Sequence, residues 1–125
     1  MGYRSARLLV CFVLALLVAP ACTSVLGPDE VRIRVRNATV VNFESTIINF
    51  SRQNEQYGAV EAGRTTDYRE VDEAYSYAYV EVLAGGNRYV MQPIDYVGEE
   101  HLKAGSYTYE LSFIGNSLVQ RLVRD

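Results

Sequence analysis

Cysteine is almost missing from this chain. Cys11 lies inside an apolar run and Cys22 directly behind it, so the remainder has no cysteine with which to close a disulfide or supply a thiol nucleophile. There is no tryptophan, a single lysine (Lys103) and a single histidine (His101), which leaves few candidates for lysine or histidine chemistry. No G-x-S-x-G elbow is present, and no glycine-rich loop leads from a strand into a helix to cradle phosphate. No tract is of low complexity. From residue 22 onward ten Lys and Arg stand against fifteen Asp and Glu, a formal charge of -5, and that balance argues against nucleic acid, whose phosphates require a basic patch. These absences point away from an enzyme, and no cofactor is expected.

What is present begins with the leader. Arg4 and Arg7 precede the apolar run Leu8 to Val18, and small residues follow at Ala19-Pro20-Ala21-Cys22. A basic segment, a short apolar segment and a small-residue cleavage site make a secretory leader. The last four residues resemble the bacterial lipobox, in which diacylglycerol is attached to the cysteine sulfur before cleavage. The resemblance implies a signal peptide over 1–21, lipidation of Cys22 with a short tether over 22–30, and one domain over 31–125. Ala19-Pro20-Ala21 is also an A-x-A site for soluble export, which would leave Cys22 unpaired, and Leu8 to Leu26 approaches the roughly 20 residues of an uncleaved anchor. Two acyl chains suffice for stable anchoring. The eight residues Thr23 to Glu30 reach at most roughly 27 Å when extended, so the domain would stay close to the bilayer. Thr23, in place of the Asp that retains such proteins at the inner membrane, implies the outer membrane, with the domain facing the periplasm or the exterior.

Beyond the tether the hydrophobic period is two, which predicts strands. Val31, Ile33 and Val35 alternate with Arg32, Arg34 and Arg36, giving a half-buried strand whose arginine face pairs with neighbouring carboxylates. A longer strand is expected over Val40 to Phe50, a turn at Asn54-Glu55-Gln56, short strands at Tyr57 to Val60 and Thr65 to Val71, and another over Ala74 to Val80. Gly85-Gly86 and Gly115-Asn116 are two-residue hairpin signals. The first sets Val80 and Val82 beside Tyr89 and Met91; the second sets Phe113 against Leu118, Tyr109 against Leu122 and Glu110 against Arg121.

Leu102-Lys103-Ala104-Gly105-Ser106-Tyr107-Thr108-Tyr109 places a glycine two residues before a strand tyrosine. This resembles the tyrosine corner of immunoglobulin-like sandwiches and the strand start of transthyretin-like domains. The resemblance implies an all-β fold, a single Ig-like (transthyretin-like) β-sandwich of seven or eight antiparallel strands, with Tyr107 as the corner. Together with the leader, Ala74 to Val80 and Gln92 to Glu99, the chain is similar to small lipoproteins of Bacteroidota.

Two clusters are candidate sites. Tyr75, Tyr77 and Tyr79 are expected on one strand face with Glu81, joined by Tyr96 from the next loop; tyrosine combines an apolar ring with a polar tip and is enriched at interfaces. Asp95, Glu99, Glu100 and His101 combine carboxylates with an imidazole as a divalent cation site would, although their spacing matches no metal motif, so no metal site is assigned. The expected role is a non-catalytic binding or accessory subunit of the cell envelope, held by its lipid, with an envelope protein or a glycan as partner. The alternatives are a carbohydrate-binding module using the tyrosine face and a structural subunit that pairs with its partner through a strand edge.

Overall fold

In a computed structural model, residues 30–93 and 100–125 are described. They form eight strands and no helix: β1 (Val31–Asn37), β2 (Ser45–Asn49), β3 (Asn54–Gln56), β4 (Arg69–Val71), β5 (Tyr79–Ala84), β6 (Asn87–Met91), β7 (Gly105–Ile114) and β8 (Ser117–Arg124). Two four-stranded sheets result, in the orders β4-β1-β7-β8 and β3-β2-β5-β6. The fold is all-β.

Both hairpins form in the register that their turns dictate. Val80 lies opposite Met91 and Val82 opposite Tyr89; Phe113 faces Leu118, Tyr109 faces Leu122 and Glu110 faces Arg121. Gly85, Gly86 and Gly115 take positive φ of 58°, 76° and 61°, the conformation a tight hairpin demands and a side chain resists. One pairing departs from the antiparallel expectation. β1 and β7 run parallel, Val31 beside Gly105 through Asn37 beside Leu111. A parallel neighbour needs a long crossover, and here the chain builds the whole second sheet between the two strands.

The alternating residues of β1 fill the core as their period requires, with Ile33 and Val35 fully buried. Packed in the same core are Ile48, Val80 and Val82 from the other sheet, the rings of Phe43, Phe50 and Tyr57, and Tyr107 and Tyr109 from neighbouring β7. Phe50 meets Tyr109 across the sheets at 6.0 Å between ring centres. Tyr57 completes the bridge: its buried hydroxyl donates to the Ile33 carbonyl at 2.9 Å, and burial pushes its pKa well above the usual phenol range. Each large apolar side chain so placed contributes about 1.5–3 kcal/mol.

Several expected strands are shorter than the pattern implied. Val40 and Val41 are exposed, and β2 starts only at Ser45, because buried Asn37 ends β1 by binding the loop that follows. Its amide donates to the Val41 and Val60 carbonyls at 2.8 and 2.9 Å and accepts from the Thr39 amide and hydroxyl. Asn54 to Gln56 is strand rather than turn, since the reversal occurs one step earlier, where the Phe50 amide donates to the Gln53 carbonyl at 2.8 Å. Tyr57 to Val60 and Thr65 to Tyr68 are reduced to isolated bridges, Phe43 with Val60 and Arg36 with Thr65.

Strand directions sort the loops between two ends. Glu30, the starts of β5 and β7 and the segment 72–78 lie at one end; the loop 38–44 and both hairpin turns lie at the other.

Candidate functional site

After Val71 the chain leaves its sheet and does not enter the next until Tyr79, so residues 72–78 have no ladder to satisfy their backbone. Side chains from β7 and β8, in the sheet that the segment has just left, take that role. The Tyr109 hydroxyl donates to the Tyr75 carbonyl. Buried Gln120 grips both sides of the segment, its amide donating to the Ser76 carbonyl at 3.1 Å and its carbonyl accepting from the Ala78 amide at 3.2 Å. The Leu102 amide donates to the Ala74 carbonyl at 2.8 Å. Buried Ala74 and Ala78 anchor the same stretch in the core. An irregular segment is thereby given one shape.

Tyr75 and Tyr77 therefore do not lie on a strand, and the expected shared face with Glu81 holds for Tyr79 alone. The three residues nevertheless border one hollow. Tyr75, Tyr77 and Tyr79 line one groove of about 430 Å³ with Asn49, Phe50, Ser51, Ala74 and Ala78. Tyr77 is 48% exposed, while Tyr75 and Tyr79 are half-buried. Among the described residues no acidic or basic side chain lines it.

Charges border the groove in closed pairs. The Arg88 guanidinium holds Glu81 by two contacts, Nε to Oε1 at 2.7 Å and Nη2 to Oε2 at 2.9 Å, and the Tyr79 hydroxyl reaches the same carboxylate at 3.3 Å. The hydrogen bond from Arg88 holds Glu81 below the usual carboxylate range, and the same bond raises Arg88. On the other flank Glu73 meets Arg52 at 3.3 Å and also His101 Nε2. The Tyr75 hydroxyl lies 2.6 Å from that same nitrogen. A proton on Nε2 would be donated to Glu73; without it, Nε2 would accept from Tyr75.

His101 is thus engaged by Glu73 and Tyr75 rather than by Glu100, which is exposed. Asp95, Tyr96 and Glu99 lie outside the described residues. Among the described residues no three metal-ligating side chains converge, and no helix is long and apolar enough to cross a membrane.

The arginine row on β1 is tied to its neighbours. Arg34 approaches Asp125 at 3.6 Å and Arg36 approaches Glu110 at 3.8 Å, while Arg32 and Arg34 stack on Tyr68 at 5.4 and 4.6 Å. Asp125 also accepts from Tyr68 at 2.7 Å and from Thr108 at 2.8 Å. Burial opposes its ionisation, yet these hydroxyls and Arg34 together hold its pKa below the usual range. Tyr107, 3% exposed, donates its hydroxyl to the Lys103 carbonyl at 2.7 Å, the bond a tyrosine corner requires.

A second hollow, about 510 Å³, lies at the hairpin end between Val41, Asn42, Glu44, Ala84, Gly85, Asn87 and Tyr89. It offers one ring where the groove offers four. Nothing in the sequence pointed to Gln120, Asn49, Ser51 or Glu73 as parts of a site, because the contacts that bring them there join distant stretches of chain.

No family model and no curated protein matches the chain. Among solved structures it is similar to the NMR structure of a protein from Eubacterium rectale, at 11% identity over 78% of this chain and 90% of the other, with a TM-score of 0.55. At that identity the likeness extends to the fold.

Proposed function

We propose that this chain is a lipid-anchored, non-catalytic binding domain of the bacterial envelope, attached through Cys22 and binding through the groove of Tyr75, Tyr77 and Tyr79. The observation that carries the binding reading is the pinning of residues 72–78 by Tyr109 and Gln120. A groove whose wall is held in place loses little conformational entropy when it is filled. The two sheets with a common core and the Tyr107 corner support the finer assignment to an immunoglobulin-like sandwich. The lipobox supports the anchor, and Thr23 favours the outer membrane. Because the tether joins at Glu30, on the end that carries the groove, the ligand would be met within the reach of eight residues from the bilayer, roughly 27 Å.

The anchor is tested by Cys22→Ser, which should move the protein from the detergent phase to the aqueous phase and abolish palmitate incorporation. Unchanged partitioning would point to an uncleaved apolar leader instead. A second reading, pairing through a strand edge, is favoured by β8, an eight-residue edge strand. The Asp125 amide donates to the Ser106 carbonyl at 3.0 Å, which turns the backbone of alternate residues Leu118, Gln120, Leu122 and Arg124 away from β7.

A further inference from the structure

We infer that the groove takes a neutral pyranose residue of a polysaccharide, an inference that rests on the groove being the binding face. Three features of the lining select this ligand among the classes a groove of this size can hold.

The first is charge. None of the eight described lining residues is acidic or basic, and charges at the groove's border are paired with each other, Arg88 with Glu81 by two contacts and Arg52 with Glu73. Among the described residues no cation lines the groove, and a uronate, sulfate or phosphate that recruited Arg88 or Arg52 would have to break a charge-assisted pair. The second is backbone chemistry. A peptide bound in extended form recruits unpaired amides and carbonyls, but the carbonyls of Ala74, Tyr75 and Ser76 and the amides of Ala78 and Phe50 are all engaged within the protein. Asn49 and Tyr79 are paired with each other across β2 and β5. The third is the mixture of surfaces. A pyranose has a face of C–H groups and a rim of hydroxyls; tyrosine rings cover the former, and the Asn49 amide and the Ser51 hydroxyl can bind the latter. The volume of about 430 Å³ lies toward the small end of the roughly 300–1,000 Å³ typical of ligand sites.

The test is affinity electrophoresis of the full chain in detergent micelles through native gels containing hydroxyethyl cellulose, laminarin, xylan, mannan or soluble starch, with polygalacturonate as the charged control. At least one uncharged polymer should retard the protein, and polygalacturonate should not. Tyr77→Ala should weaken that retention about ten-fold, the scale of one stacking contact, whereas Tyr77→Trp should preserve it. Tyr77 is the most exposed of the three rings, and matching circular dichroism melts show that the variants are folded. Retardation by none of the uncharged polymers, retardation by polygalacturonate alone, or retention indifferent to Tyr77→Ala would overturn the inference. A photo-crosslinker at Tyr77 in native membranes separates the two levels: a protein captured there, with no polymer bound, refutes the sugar and keeps the groove as binding face. Failure of both experiments refutes the groove as well.

Discussion

Gln120→Leu should damage this protein more than its place on an edge strand suggests. The side chain is 8% exposed and makes two hydrogen bonds to a segment that has no sheet of its own. Leucine fills the space but orphans both partners. The Ala78 amide is buried, and leaving such a donor unpaired costs about 1–3 kcal/mol; the Ser76 carbonyl belongs to a half-buried residue, where water can replace the lost bond at small cost. The net loss is about 1–3 kcal/mol, against roughly 5–15 kcal/mol for a whole domain, so the variant should still fold. For a domain of this size the melting temperature falls by roughly 4–8 °C per kcal/mol. Calorimetry supplies the loss, and amide hydrogen exchange locates it: in the parent the Ala78 amide should be protected although it lies outside any strand, and in the variant it should exchange far faster than its neighbours in β5. A loss under about 0.5 kcal/mol, or an Ala78 amide that exchanges equally fast in both proteins, would refute the claim that β8 fixes the groove.

Tyr107→Phe removes only the hydroxyl that reaches Lys103 and should cost about 1–2 kcal/mol in urea denaturation, while Tyr77→Phe should stay within about 0.5 kcal/mol. Thr46 is fully buried, with no partner for its hydroxyl among the described residues; Thr46→Val should raise the melting temperature, by about 1 kcal/mol in stability terms. The depressed pKa of Asp125 means that its contribution is present in full above the ordinary carboxylate range and is lost as the pH falls through the lower folded value. Asp125→Asn should therefore flatten part of the acid limb of a stability-against-pH curve. The effect should be below about 1 kcal/mol because Asp125 and its partner Arg34 both keep contact with solvent, which screens the pair.

The hairpins were legible because turn chemistry and side-chain period act over neighbouring residues. Gly85-Gly86 and Gly115-Asn116 fixed two registers, and the arginines of β1 declared an outer face. Local pattern could not show that β1 would take β7 as a parallel neighbour, since that choice is made by elements about seventy residues apart. It also misplaced Tyr75 and Tyr77 on a strand. The alternation Ala74-Tyr-Ser-Tyr-Ala-Tyr-Val80 is a strand pattern, but the buried alanines and the hydrogen bonds from Tyr109 and Gln120 satisfy it without a ladder. The three tyrosines line one groove with Asn49 and Phe50 instead of sharing a strand face. Val40 and Val41 read as strand because they are β-branched, yet Asn37 captures the loop they occupy and leaves Val40 96% exposed.

The central claim is that the end of the molecule beside Glu30 does the binding, and chemical-shift mapping tests it most directly. Isotope-labelled full chain in micelles, titrated with the oligosaccharide of whichever polymer retards it, should show saturable shifts confined to Asn49, Ser51 and the stretch Tyr75 to Tyr79. The amides of Val40, Ile114 and the two hairpin turns should stay still. Shifts concentrated at that hairpin end, or along β8 with the groove silent, would contradict the account.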